Sequence, residues 1–431
     1  MRRKILDILA KKKVKKYDVI IERKSTYPIS FEQNELNMLE NKNLIGIGLR
    51  LFENGRVGYS YTNDITTFEE VVDFARESAT YGKELDLDLP KNTEYPSLSI
   101  YNDIFWDERG WVTKGKEIIK KIEDIANDVK IDINFSKSIL DVEILNSEGF
   151  HGRYKKTLYR FTISGFAILD SGFTFVSEIE SSTKPIAGID KATESILKQL
   201  EKARSVSKIK TGDMPVIFAP ISLWSLLHSI SMGISADNVK KGISPLKDKI
   251  NEKIFSEKIT ITDNPYDYEL IGAKPFDGEG IATKITPVVE NGVLKTYLHT
   301  LETAKHFGTK PTGHAERSYS SIPLPGFNNM VISPGKRSLE EIIEDMDYGL
   351  IVYEVIGGGQ SNLLRGDYSV NVGLGFLIEN GEIKGRVKDT MIAGNVYEDF
   401  NRVIELSKES KKFMNFDIPY LVIDGVSVTS K

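Results

Sequence analysis

Five histidines (His151, His228, His299, His306 and His314) and no cysteine set the first limits on the chemistry of this chain. Without cysteine there are no disulfides, no Cys-ligated zinc and no thiol catalysis. No histidine pair has the His-Glu-x-x-His spacing that puts two imidazoles on one helix face beside a general base. His299 and His306 are seven apart, and could share a face only if one helix spanned both. No Gly-x-Ser-x-Gly nucleophile elbow is present. Gly357-Gly358-Gly359 follows an apolar stretch at 350–356, but no Gly-Lys-Ser/Thr follows it. Those glycines suit a tight turn or a close backbone approach better than a phosphate loop. Asp277-Gly278-Glu279-Gly280 supplies too few oxygens to chelate a hard cation alone and reads as a charged turn. That leaves the apolar helix at 223–233, which carries His228, as the most informative segment.

The elements that would position these residues are of mixed type. Residues 3–13 form an amphipathic helix with Ile5, Ile8 and Leu9 on one side. Strands follow from 17 to 61. Glu53-Asn54-Gly55 joins two of them, because Asn-Gly tolerates the positive φ of a two-residue hairpin turn. Thr66-Thr67-Phe68-Glu69-Glu70 offers overlapping capping boxes to a helix with Phe68, Val71, Val72 and Ala75 inward. A second helix is expected at 113–128, with Ile118, Ile122, Ile125 and Ala126 inward. Residues 139–179 read as an antiparallel meander, turning at Asp170-Ser171-Gly172. A helix at 189–204 and a polar stretch at 205–212 end this half. Beyond it the chain becomes strand-rich, with further hairpin signals at Glu290-Asn291-Gly292 and Glu379-Asn380-Gly381. Ser338-Leu339-Glu340-Glu341 is a capping box opening a short helix. The expected fold class is α+β: an N-terminal α+β region at 1–207, with small lobes at about 1–85 and 110–207, then a β-rich C-terminal domain at 208–431.

A set of ordered fragments resembles the TldD/PmbA family, also known as modulator of DNA gyrase or peptidase U62. In the N-terminal half they are Gly46-Ile47-Gly48-Leu49-Arg50, Asn54-Gly55-Arg56-Val57-Gly58, Thr62-Asn63-Asp64 and Asn146-Ser147-Glu148-Gly149. In the C-terminal half they are Asp277-Gly278-Glu279-Gly280, Glu290-Asn291-Gly292-Val293-Leu294 and Thr312-Gly313-His314-Ala315-Glu316-Arg317. Ser333-Pro334-Gly335, Gly366-Asp367-Tyr368-Ser369 and Ile392-Ala393-Gly394-Asn395 complete the set. The resemblance implies a paired system. A TldD-type subunit carries His-Glu-x-x-x-His on a helix, with a later cysteine completing a zinc site. A PmbA (TldE) type lacks them and partners the first. The matching helix here keeps His228 but has Ser229 at the glutamate position and Gly233 at the second histidine position. A lone imidazole cannot hold zinc, and serine cannot deprotonate a metal-bound water. The resemblance therefore points to the PmbA side, with His228 as an ordinary helix residue beside Leu226 and Leu227. No cofactor is expected in this chain, zinc only in a TldD-type partner, and unfolded peptides as the substrate.

The bulk properties agree with a soluble protein. The 431 residues are 40% hydrophobic and 28% charged, enough for a substantial core under a wet surface. No apolar run reaches membrane-spanning length. The N-terminus lacks the apolar core and cleavage site of a secretory signal, so a cytoplasmic location is expected. A net charge of −5 argues against nucleic acid. The lysines at 11–16 read as the solvated end of the first helix. Residues 355–376 are the expected cavity or interface segment, with Gly357, Gly358 and Gly359 allowing close approach and an Arg365–Asp367 pair orienting a turn. The alternative function is a stand-alone binding protein or homodimer acting on a protein partner. A hydrolase using Asp367 or Glu279 as base ranks last.

Overall fold

A computed structural model of the chain describes residues 1–92, 94–125, 129–169, 172–357 and 362–431. Strand content is 43% and helix content 23%, an α+β protein with a β-rich C-terminal domain. The expected turn at Asp170-Ser171, and Ala126, Gly358 and Gly359, lie outside the described residues.

The N-terminal half is built on one antiparallel sheet. Its strands are β1 (Lys16–Glu32), β2 (Glu35–Met38), β3 (Lys42–Glu53), β4 (Arg56–Thr62), β5 (Val129–Asn146), β6 (His151–Leu169) and β7 (Gly172–Ser182). The order is β4-β3-β1-β5-β6-β7, with β2 on the far end of β1. Strand β1 pairs with β3 along Lys16–Thr26 and with β5 along Asp18–Phe31, so the two expected lobes share a single sheet. Side-chain alternation gives that sheet two working faces. On one, Val19, Ile21, Ile47, Leu49 and Leu51 pack under helices α1 (Arg2–Lys11) and α2 (Phe68–Tyr81). Further along, Ile131, Ile133, Phe135, Phe161 and Ile163 pack against α3 (Glu108–Glu123) and α4 (Ile189–Lys202). The other face carries Ile20, Val142 and Ile144, and is covered by Phe276 and Tyr319 of the C-terminal domain.

Several local expectations need adjustment. Neither expected capping box opens α2: a 3-10 turn at Ile65–Thr67 precedes it, and Asp64 caps that turn by accepting from the Thr66 amide. Helix α3 starts earlier than expected, where the Asp107 carboxylate accepts from the Gly110 amide. The Ser338–Glu341 capping box does form. All three Asn-Gly turns close two-residue hairpins with both residues at positive φ, for instance Asn54 at 52° and Gly55 at 76°.

The C-terminal sheet comprises β8 (Gly212–Phe218), β9 (Ile261–Asp263), β10 (Thr286–Glu290), β11 (Val293–Leu294), β14 (Met330–Ile332), β15 (Tyr348–Gly357), β16 (Asp367–Glu379), β17 (Glu382–Arg386), β18 (Thr390–Asn395), β19 (Val403–Phe413) and β20 (Phe416–Ser430); a separate small ribbon pairs β12 (Ala315–Glu316) with β13 (Leu324–Pro325). Strands β20, β18, β16, β15 and β8 form a closed ring, because β8 pairs with both β15 and β20. Val216 and Phe218 face the ring's own core together with Leu350, Val352, Leu421 and Ile423. The intervening Ile217, Ile351 and Val422 pack with α4 and the N-terminal sheet. Serving two cores explains why β8 reads as an unbroken apolar run. Helix α5 (Pro220–Ile234) buries Leu223, Leu226, Leu227, Ile230 and Ile234 in the ring-side core.

Candidate functional site

The candidate site has two adjoining chambers, the larger at the seam between the two halves and the smaller lined by C-terminal residues alone. The larger, about 580 Å³, has the uncovered face of the N-terminal sheet as its floor: Ile20 and Glu22 from β1, Leu140, Val142 and Ile144 from β5, and Tyr154 and Lys156 from β6. Its roof is made by C-terminal loops carrying Lys274, Asp277, Arg317 and Asn328. The smaller, about 440 Å³, is lined by Trp224, His228 and Met232 of α5 together with Met414 and Phe416. Glu316, Leu324, Phe327 and Asn415 border both chambers, so the β12–β13 ribbon stands between them.

A buried ion network fixes the roof over the floor. Arg50 of β3 donates through Nε to Asp18 of β1 at 2.7 Å, and its Nη1 lies 2.9 Å from Glu279. Arg317 reaches the other Asp18 oxygen through Nη1. Asp18, Arg50 and Glu279 are all buried. Burial opposes the charge on Asp18, but Arg317 and Arg50 outweigh it and hold the carboxyl below its ordinary pKa. For Arg50 burial is likewise offset, by Asp18 and Glu279, and its pKa is raised. Asp277 shapes the roof loop itself, accepting from the amides of Glu279, Ile281 and Ala315. Backbone contact adds to this clamp. Tyr319 lies so close over β3 that a Cβ on Gly46 would fall 2.1 Å from its ring, and one on Gly48 would fall 2.3 Å from its carbonyl oxygen. The two glycines are thus needed for close approach. Glu279, read as part of a charged turn, is a cross-domain ion partner that also accepts from the Leu301 amide at 2.7 Å.

The histidine-bearing helix is arranged differently. His228 is exposed in the smaller chamber, edge-on to Trp224 at 5.5 Å, and not beside the buried Leu226 and Leu227. Ser229 is buried, and its carbonyl accepts the Tyr397 hydroxyl at 2.7 Å. A Cβ on Gly233 would lie 2.5 Å from that same hydroxyl. The same hydroxyl lies 3.2 Å from the carbonyl of Leu364, which sets the 362–367 turn beside α5. In that turn Arg365 and Asp367 are exposed and form no ion pair with each other, contrary to expectation. Asp367 instead accepts from the Asn395 amide at 2.8 Å, an arrangement set by the β16–β18 pairing. Gly357 sits at the exposed end of β15. His151 contacts Arg2 and Glu143. His299 and His314 are buried, and burial followed by the neighbouring His314 pushes His299 down to about 4. Among the described residues, no group of three or more His, Asp or Glu side chains is gathered as a metal would require. No helix of the described residues is long and apolar enough to cross a membrane.

Three family profiles match in order along the chain. They are PmbA/TldA metallopeptidase domain 1 at 17–79, the central domain at 112–200, and the C-terminal domain at 211–430. The chain belongs to the PmbA/TldD family. An uncharacterized protein of Methanocaldococcus jannaschii is 31% identical over 368 residues, 84% of each chain. A metalloprotease PmbA homolog of Haemophilus influenzae is 24% identical, over 96% of this chain and 92% of its own. Among solved structures, TldE from Thermococcus kodakarensis superposes with a TM-score of 0.90 at 25% identity, covering 99% of this chain and 100% of its own.

The PmbA/TldD fragments in the sequence meet at the seam just described: Gly46 to Arg50, Asp277 to Gly280 and Thr312 to Arg317 all converge on the roof and floor of the larger chamber. The residues of α5 do not fit a zinc ion. His228 is the one imidazole on that helix, Ser229 is a poor ligand, and Tyr397 fills the space a second side chain at Gly233 would need.

Proposed function

We propose that this chain is the non-catalytic, TldE-type subunit of a two-chain metallopeptidase that degrades unfolded peptides. The observation carrying this reading is the seal between Tyr397 and Gly233. The position of a second metal ligand is closed by a side chain that hydrogen bonds across it, while the rest of the family architecture is kept. In this reading zinc belongs to a TldD-type partner. This chain contributes cavity wall, and peptides are held along it by strand addition, which needs backbone edges and not special side chains. The short β12–β13 ribbon between the chambers offers such an edge. The turn at 362–367, set beside α5 at Tyr397, is the proposed part of the surface that meets the partner.

The test is co-purification from the native cell followed by elemental analysis. A His-Glu-x-x-x-His relative is expected to come down with this chain, with all the zinc following that relative after the two are separated. Stoichiometric zinc staying with the isolated chain would overturn the proposal.

A further inference from the structure

The larger chamber holds buried cations whose donors the protein does not use up. Lys156, on the floor strand β6, is 7% exposed and forms no ion pair among the described residues. Among the described residues its Nζ donates to the carbonyls of Ile271 at 2.8 Å and Ala273 at 3.4 Å, so in the protonated form one of its three N–H donors is unspent. Arg317, in the roof, has a fully buried side chain. Its Nη1 is engaged by Asp18 and Gly278, while Nε and Nη2 find no partner among the described residues. Buried charged donors left unmatched are costly, so sites that keep them tend to be completed by a ligand.

The acids around the chamber do not complete them. Asp277 is committed to three backbone amides. Glu22 accepts from the Tyr319 amide at 3.0 Å and forms no ion pair among the described residues, and burial pushes its carboxyl toward the neutral form despite nearby Arg317, Lys24 and Lys156. Glu316 sits at the border between the chambers, and Lys274 adds a further cation to the roof. None of these carboxyls pairs with Lys156 or with the unspent donors of Arg317 among the described residues.

We infer that the larger chamber binds a carboxylate, between Lys156 on its floor and Arg317 in its roof, and that for a peptide-handling subunit the ligand is the free C-terminal end of an unfolded peptide. This rests on the proposed function for the choice of a peptide. The carboxylate chemistry itself rests on the two cations. A planar guanidinium and an ammonium lining one chamber are the donor types that bind a carboxylate. Burial, together with Lys274, lowers Lys156 to about 7, so capture of an anion beside it also draws in a proton.

The test uses the whole chain without a partner, and calorimetric titration of a short unstructured peptide in three forms: free acid, C-terminal amide, and amide with an internal glutamate. The free acid is expected to bind at least about tenfold more tightly than the amide, with proton uptake near pH 7.5 seen as a buffer-dependent heat. Recovery of affinity by the internal glutamate supports the carboxylate site and assigns it to side chains instead of chain ends. Lys156→Met should erase most of the difference between acid and amide. The comparison of acid with amide on the unmodified chain needs no variant, so it stands even where Lys156→Met folds poorly. Equal affinity for acid and amide on that chain overturns the inference, and so does failure of all three forms to bind. Neither result touches the subunit reading, which is judged by zinc and by the partner's activity.

Discussion

The seam at Asp18, Arg50, Glu279 and Arg317 and the helix at His228, Ser229 and Gly233 both carry family positions, yet they do opposite things. At the seam every charge has a charged neighbour from another segment, and the glycines of β3 let Tyr319 lie directly on the sheet. On the helix the polar positions are exposed, buried as serine, or closed by Tyr397. The comparison teaches that what this chain keeps is the shape of the cleft and the attachment of its roof. The zinc-binding set on α5 is not among its residues.

Breaking the seam should have the largest effect. Glu279→Ala leaves the buried Arg50 with only Asp18 and frees the Leu301 amide. A loss of about 3–5 kcal/mol in denaturant unfolding is expected, and a loss under 1 kcal/mol would show the network to be dispensable. On the helix, Gly233→His should cost about 1–3 kcal/mol by overpacking against Tyr397. Adding Tyr397→Phe should recover part of that cost, because the hydroxyl is the first atom the new side chain meets. Costs that simply add would mean that Tyr397 does not seal the position.

A pH series sharpens the account of the floor. Lys156 has a folded pKa near 7 against 10.5 for a free lysine. Between those values the unfolded chain binds more protons, so this group makes the fold more stable as pH rises through that window, by at most about 1.4 kcal/mol per pH unit. Lys156→Met removes the term. The melting temperature of the unmodified chain minus that of the variant should therefore increase from pH 7 to 10, and a flat or falling difference contradicts the assignment. The smallest effect is expected at Arg365. It is exposed and unpaired with Asp367, so Arg365→Ala should change stability by no more than about 0.5 kcal/mol. A larger loss would make the turn a structural element and remove it from the proposed surface.

The division between what the sequence reveals and what it hides follows range. The Asn-Gly hairpins and the Ser338 cap depend on neighbours in sequence, and they were legible. The expected capping bonds of α2 do not form: Thr67 stands at the N-cap without a side-chain bond, because a 3-10 turn capped by Asp64 leads the chain into the helix. The pairing of β1 with β5 joins residues more than a hundred apart, which local periodicity does not encode. At the site, Ser229 and Gly233 show in the sequence itself that α5 lacks the family's glutamate and second histidine. The Tyr397 seal was not, since nothing at 397 marks it as a neighbour of 233. The seam did leave a trace. Asp18 stands before Val19-Ile20-Ile21, and Arg50 lies between Leu49 and Leu51. A charge within an aliphatic strand signals a buried partner, but its identity, 229 residues away for Arg50 and Glu279, emerges only in three dimensions.

The most direct test of the central claim is cleavage of an unfolded peptide by three samples: this chain alone, a TldD-type partner alone, and the two mixed. The account predicts no cleavage by this chain alone, and chelator-sensitive cleavage by the mixture that exceeds that of the partner. Chelator-sensitive cleavage by this chain in the absence of a partner would contradict it.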